Sequence, residues 1–265
     1  MKPLRPLFLF ASLLLIVGLA CSGGATPPTQ APPPTQPVQV LPTEALPEPT
    51  EVPPTAVSPA TEPAPPVPQA QQFFTEEFDE PLSSDWDVLT VTDSADADPD
   101  KVTVESDGGR LVWNFDSEWV YYYMFYNAFE YEDVRVDVRA DNRGRNNNNI
   151  SLICRYDPNV GWYEFNIANN GLYDIYYAEV TSNGSIGYNR VANGGSNAIK
   201  QGKEVNEYAI ECTGDDLTLF INGDEVNSIT EKTYGLRSGQ VGVSVSSFNV
   251  LPILIEMDWI KISEP

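Results

Sequence analysis

The chain contains no histidine in 265 residues. Without an imidazole it runs no Ser-His-Asp or Cys-His relay, carries no HExxH zinc helix and places no histidine around a metal. Its chemistry must come from carboxylates, hydroxyls and rings. Positive charge is also scarce. Only 15 Lys and Arg stand against 38 Asp and Glu, a formal net charge of -23, which opposes counterion-release binding to a phosphate backbone and removes nucleic acid from the partner classes. Cysteine occurs three times. The apolar run at residues 7–17, broken by Ser12, is shorter than the roughly 20 residues a membrane-spanning helix needs.

That run has another reading. Lys2 and Arg5 precede it, and Gly18, Leu19 and Ala20 follow it as small or apolar residues before Cys21. This is the layout of an export signal, residues 1–20, and a cysteine directly after the cleavage point marks a bacterial lipoprotein with Cys21 as the lipidated N-terminus. Lipoprotein signals usually carry Leu where this chain has Gly18, so an ordinary secreted protein or an uncleaved anchor remains the alternative. Residues 21–72 then form a linker. Sixteen of the 23 prolines fall within 22–72, with four Glu and no Lys, Arg or aromatic residue. Such a composition cannot bury enough apolar surface to offset chain entropy and favours extended polyproline segments, so disorder and a stalk-like role are expected.

The remainder, residues 73–265, holds 34 acidic and 13 basic residues and 27 of the 29 aromatics. Its length fits one all-β domain. In residues 134–140 the apolar positions recur every second residue, with Arg135, Asp137 and Arg139 between them, the pattern of a half-buried antiparallel strand. Leu217, Leu219 and Ile221 repeat it and run into Asn222-Gly223, a pair that accepts the positive φ angles of a tight hairpin. Asp107-Gly108-Gly109 and Asn169-Asn170-Gly171 mark further turns. About a dozen strands joined by short loops predict an all-β fold of two antiparallel sheets packed face to face.

On these residues the domain resembles the concanavalin A-like jelly rolls, in the branch that includes the 3-keto-disaccharide hydrolase and laminin-G-like domains. The likeness is carried by Phe74 to Asp79 with Trp86, by Ile150 to Tyr156 and Gly161 to Ile167, and by Leu217 to Gly223. Tyr234 to Val243 and the closing Ile255 to Ile262 complete it. The resemblance implies a two-sheet jelly-roll sandwich, and that fold hosts lectins, glycosidases, adhesins and structural modules alike. With Cys21 acylated, Cys154 and Cys212 are left as an even pair in an oxidising compartment, either bridged or two buried thiols.

Glycosidases of this fold place E-x-D-x-E on one strand. Here Glu256-Met257-Asp258 is followed by Ile260 in the third acidic position, so no acid/base pair is expected there. Glu164 stands alone and reads as an outward-facing strand residue. Asp93, Asp96, Asp98 and Asp100 form a stretch whose oxygens suit Ca²⁺, against the plainer reading of a solvated acidic loop. No other cofactor is expected. Aromatic residues are the main functional pointer. If Tyr121, Tyr123 and Phe125 face the core, Tyr122 and Tyr126 face outward, and Trp162, Tyr163, Tyr173 and Tyr176 add a second group. Together these six are the candidate ligand-binding rings, with core filling as the alternative for each. The expectation is a monomeric lipoprotein, anchored outside the cytoplasm of a bacterium, whose sandwich binds a glycan or envelope polymer without catalysis. The alternatives are a glycoside hydrolase acting on (3-keto-)glycosides and a structural or adhesive envelope module.

Overall fold

A computed structural model describes residues 70–265. The expected export signal, Cys21 and the Pro-rich segment up to residue 69 lie outside the described residues. In chain order the strands are β1 (Phe74–Glu76), β2 (Trp86–Thr92), β3 (Val102–Ser106), β4 (Leu111–Phe115), β5 (Val120–Tyr131), β6 (Val134–Asn142), β7 (Asn148–Asp157), β8 (Gly161–Ala168), β9 (Leu172–Val180), β10 (Ile186–Gly195), β11 (Val205–Thr213), β12 (Asp216–Ile221), β13 (Asp224–Thr230), β14 (Gly239–Ser247) and β15 (Ile253–Ser263). These fifteen exceed the dozen or so expected partly because β1, at three residues, is too short to show a period.

The strands form two antiparallel sheets. The first runs β13-β12-β11-β6-β15-β4-β3, with β1 also paired to β15, and the second runs β10-β9-β8-β7-β14-β5-β2. These are the two packed antiparallel sheets that the alternation and turn signals predict, arranged as the jelly-roll sandwich that the resemblance implies. Val134, Val136, Val138 and Ala140 of β6 point inward and are buried. The turn at Asn222-Gly223 takes φ values of 51° and 88°, as a hairpin of that sequence requires. Trp113, Phe115, Leu152, Phe165 and Met257 lie fully buried in the core between the sheets.

Charged residues on the outward face of the first sheet neutralise one another. Arg135 reaches Asp137 and Glu211, Arg139 reaches Asp258 at 2.9 Å, Arg143 reaches Asp141 at 3.1 Å, and Arg110 reaches Glu256 and Asp258. Glu256 and Asp258 are thus ion-pair partners there, as the missing third acid foreshadowed.

Three contacts tie the sandwich together. Cys154 on β7 and Cys212 on β11 form a disulfide that joins the second sheet to the first. The next residue, Arg155, adopts φ 58° where the β7–β8 register slips between Cys154 and Asp157. Only 1% exposed, it donates to the carbonyls of Leu236 (2.8 Å), Gly214 (2.8 Å) and Glu132 (3.1 Å). At the domain's start, Tyr126 and Tyr131 of β5 donate their hydroxyls to the carbonyls of Gln71 (2.8 Å) and Gln72 (2.6 Å).

Tyr163, expected as a candidate binding ring, is 1% exposed and donates its hydroxyl to Glu231. Glu231 also accepts the backbone N–H groups of Thr233 (2.5 Å) and Tyr234 (3.1 Å), which fixes the turn leading to β14. Burial pushes the Glu231 carboxyl up, but the hydrogen bonds from Tyr163 and the backbone outweigh it and the pKa falls below the usual 4.5. A carboxyl depressed in the folded state stabilises the fold above its unfolded value, and that contribution disappears as pH falls through the folded value. The stability gap between the wild type and Glu231→Gln, read by thermal melting, is therefore expected to be widest near neutrality and to close below about pH 4. A gap that stays constant through acid would contradict this account.

Candidate functional site

The outward face of the second sheet is curled. Tyr188 sits on the edge strand β10, yet its hydroxyl lies 2.6 Å from that of Tyr123 on β5, next to the opposite edge. With adjacent strands about 4.8 Å apart, two tyrosine side chains meet over that many strands only if the sheet rolls into a trough.

Register places three transverse rows in this trough. Tyr121, Ser246 and Asn149 lie side by side on β5, β14 and β7. Tyr123, Ser244, Ser151 and Asn166 form the next row, on β5, β14, β7 and β8. Phe125, Gly242, Ile153, Glu164 and Tyr176 form the third, from β5 through β9. Gly242 is required there because a Cβ would run into the Phe125 ring and the Met124 carbonyl.

The two ends of the trough differ. One is filled by its own side chains: Phe125 stacks on Tyr156 with centroids 3.6 Å apart, and Trp162 packs edge-on against Tyr123, Phe125 and Tyr156. The other end stays open as a cleft of about 710 Å³, lined among others by Asp93, Tyr121, Asn149, Asn166, Tyr176 and Tyr188 over Glu164. Tyr188 stacks toward Tyr121 at 6.4 Å and meets Tyr176 edge-on at 5.9 Å, so three phenols ring the opening. The hydroxyls of Ser244 and Ser246 are buried beneath these rows with no partner in the protein.

Glu164 faces outward from its sheet, as expected, but the roll of the trough leaves it only 1% exposed. Its Oε1 accepts from Ser151 Oγ (2.8 Å) and Asn166 Nδ2 (3.3 Å), and its Oε2 from Trp162 Nε1 (3.1 Å) and the Tyr123 hydroxyl (3.2 Å). Burial pushes its pKa up, and these four hydrogen bonds offset that only in part. Burial and the charges of Asp93 and Glu164 push the Tyr121 phenol up to about 12, and burial raises Tyr123 and Tyr188 as well. All three are neutral hydrogen-bonding groups at physiological pH.

The face assignment of the β5 aromatics is corrected. Tyr122 and Tyr126 point into the core between the sheets, where Tyr122 meets Trp113 edge-on at 5.8 Å and Tyr126 packs on Phe74 and Trp86. Tyr121, Tyr123 and Phe125 instead face the trough. The run carries rings on both faces, so alternation gave the period without saying which face was inward. Of the six candidate rings, Tyr176 alone lines the cleft. Trp162 is fully buried behind Glu164, Tyr163 holds Glu231, and Tyr173, 7% exposed, accepts from Asn227 Nδ2 at 3.0 Å. Tyr188 and Asn166 were missed, and Tyr121 was taken for a core ring. The alternation of Asn166 with the noted Glu164 on one strand was the available signal.

In the acidic stretch, Asp93 lines the cleft. Asp98 accepts the Asp100 N–H at 3.2 Å, caps the 3-10 turn Pro99–Lys101 and pairs with Lys101 at 3.6 Å. Among the described residues, no group of three or more acids, cysteines or histidines is placed to hold a metal.

The fold is similar to that of a β-glucanase of Bacillus licheniformis, 12% identical, TM-score 0.52, covering 74% of this chain and 100% of that one. It is also similar to a family 16 endo-glucanase of Bacteroides ovatus (11%, 0.51, 72% and 99%) and to a lichenase from a mouse hindgut metagenome (11%, 0.52, 74% and 100%). No curated protein matches the sequence. The model of the 3-keto-alpha-glucoside-1,2-lyase-like domain matches residues 75–253, a span that takes in every strand from β2 to β14, and the chain belongs to that family.

Proposed function

We propose that this is a lipoprotein, anchored through Cys21 outside the cytoplasm, whose trough binds the end of a neutral saccharide without cleaving it. The observation that carries the reading is the half-filled trough. Its cleft offers the flat rings of Tyr121, Tyr176 and Tyr188 beside Asn149 and Asn166, the mixture of ring faces and polar edges that suits sugars. A polymer threading the trough would meet the Trp162 and Phe125 packing, so a chain end or short saccharide fits better. Asp93 and Glu164 are the carboxylates lining the cleft, and no basic residue lines it, which disfavours acidic sugars. Hydrolysis of an unactivated glycoside uses two carboxyl groups about 5–9.5 Å apart with free oxygens. Glu164 has both of its oxygens engaged.

On an array of neutral and acidic glycans, the full chain is expected to bind neutral ends saturably, and Tyr176→Ala to lose roughly tenfold or more in affinity. No binding from folded protein would sink the reading.

A second reading, cleavage of 3-keto-glucosides, is favoured by the family and by the raised pKa of Glu164. A ketone at C3 acidifies the proton on C2, so one base suffices: Glu164, with a hydroxyl donor turned away, would take that proton, the C1–C2 double bond would form as the C1–O bond breaks, and the departing oxygen would receive the proton back. Turnover of a 3-keto-disaccharide that Glu164→Gln abolishes would install this reading in place of the first.

A further inference from the structure

We infer that Glu164, Tyr123 and Tyr188 form one hydrogen-bond chain whose direction is set by the proton on Glu164, so that Tyr188 turns an acceptor toward the cleft when Glu164 is ionised and a donor when it is protonated. The inference rests on the reading of the cleft as a saccharide site and adds what that site discriminates.

Ionised Glu164 has four donors. Trp162 Nε1 and Asn166 Nδ2 are N–H groups and only donate, whereas Ser151 and Tyr123 are hydroxyls and can reverse. While Tyr123 donates to Glu164 Oε2, its oxygen accepts from Tyr188, 2.6 Å away. The single Tyr188 proton is then spent inward and only its lone pairs are offered to the cleft. A proton on Oε2 reverses both bonds. Glu164 donates to Tyr123, Tyr123 donates to Tyr188, and the Tyr188 proton is freed toward a ligand. Ser151 is the poorer place for reversal because its other neighbour, Asn166 Nδ2 at 3.2 Å, only donates, so a displaced Ser151 proton has no acceptor there.

The titratable groups facing Glu164 are Tyr121 and Tyr123 from β5, Tyr176 from β9, Tyr188 from β10 and Asp93 beyond β2. β7 and β14 contribute the uncharged Asn149, Ser151, Ile153, Gly242, Ser244 and Ser246 to this face, and β7 adds the phenol of Tyr156 at the filled end. The phenols stay neutral through the acid range. Burial raises the Glu164 pKa, so within the chain of Glu164, Tyr123 and Tyr188 it is Glu164 whose proton changes.

A sugar hydroxyl donates or accepts and fits Tyr188 in either state. A ketone on the sugar ring only accepts, and it needs the donor state. Tyr188 is thereby a specificity-determining residue that favours carbonyl-bearing sugars as Glu164 takes up its proton.

Calorimetric titration of the full chain with methyl α-D-glucoside and its 3-keto counterpart tests this. As pH falls from neutrality through the protonation of Glu164, the keto sugar is expected to gain roughly tenfold in affinity, the worth of about one hydrogen bond, while the parent changes less than about threefold. Tyr188→Phe should remove the pH dependence. A dependence that survives in Tyr188→Phe, or keto-sugar binding indifferent to pH in the wild type, overturns the inference. Infrared difference spectra of the unliganded protein with isotope-labelled tyrosine test the chain without any sugar. Acidification should raise a carboxylic band that Glu164→Gln lacks, together with a tyrosine C–O shift that persists in Ser151→Ala and vanishes in Tyr123→Phe. No carboxylic band, or a band without the tyrosine shift, refutes the chain. The tyrosine shift with neither sugar bound would retain the chain and reject the saccharide reading.

Discussion

Replacing Cys154 and Cys212 together by alanine is expected to cost about 4 kcal/mol of stability and lower the melting temperature by roughly 8–16 °C. The chain-entropy argument uses the 58-residue separation of the two cysteines: the bridge removes from the unfolded ensemble all conformations in which those strands drift apart. Its position adds to this. β7 is central to the second sheet and β11 lies beside β6 in the first, so the bond spans the interface whose packing defines the sandwich. Both sulfurs are fully buried, and mild reductant is expected to leave the folded protein unaltered while partial denaturant plus reductant unfolds it at once. A double variant that melts within about 2 °C of the wild type would mean that the unfolded chain is already compact around this contact.

Arg155→Met is expected to cost about 3 kcal/mol, with Arg155→Lys recovering less than half of it. Methionine fills much the same volume, so the loss reports polar contacts and not a cavity. Arg155 has no carboxylate partner in its hydrogen-bond set. It donates to three carbonyls from the turn after β5, the β11–β12 turn and the segment before β14, and burial pushes its own pKa down. The guanidinium fork meets several acceptors at once, which one ammonium on a flexible stem does not. Denaturant melts at several pH values read the cost. An unchanged midpoint for Arg155→Met would show that water replaces all three bonds without loss.

The fold was legible because its signals are local. Residues 134–140 announce a strand with one wet face, Asn222-Gly223 announces a hairpin, and the even cysteine pair left beside Cys21 announces a bridge. The site was not, for a reason visible in β8. Residues Gly161–Ile167 of that strand are all buried, on the core side by the sandwich and on the other by the rolled trough. Where both faces exclude water, alternation of polar and apolar residues carries no sign. Trp162 and Tyr163 then look equivalent in sequence, although one supports Glu164 and the other Glu231. Tyr188 lay further out of reach, since its partner Tyr123 is 65 residues away and meets it only through the curl of the sheet.

The phenols of Tyr126 and Tyr131 bear on where a protease can cut at the start of the domain. By holding the carbonyls of Gln71 and Gln72, they set the first peptide bonds that an attacking protease cannot draw into its extended binding cleft. Trimming to Phe73 would strip both phenols of their acceptors and loosen the β5 end of the sheet, so the smallest stable form of the domain begins ahead of its first strand.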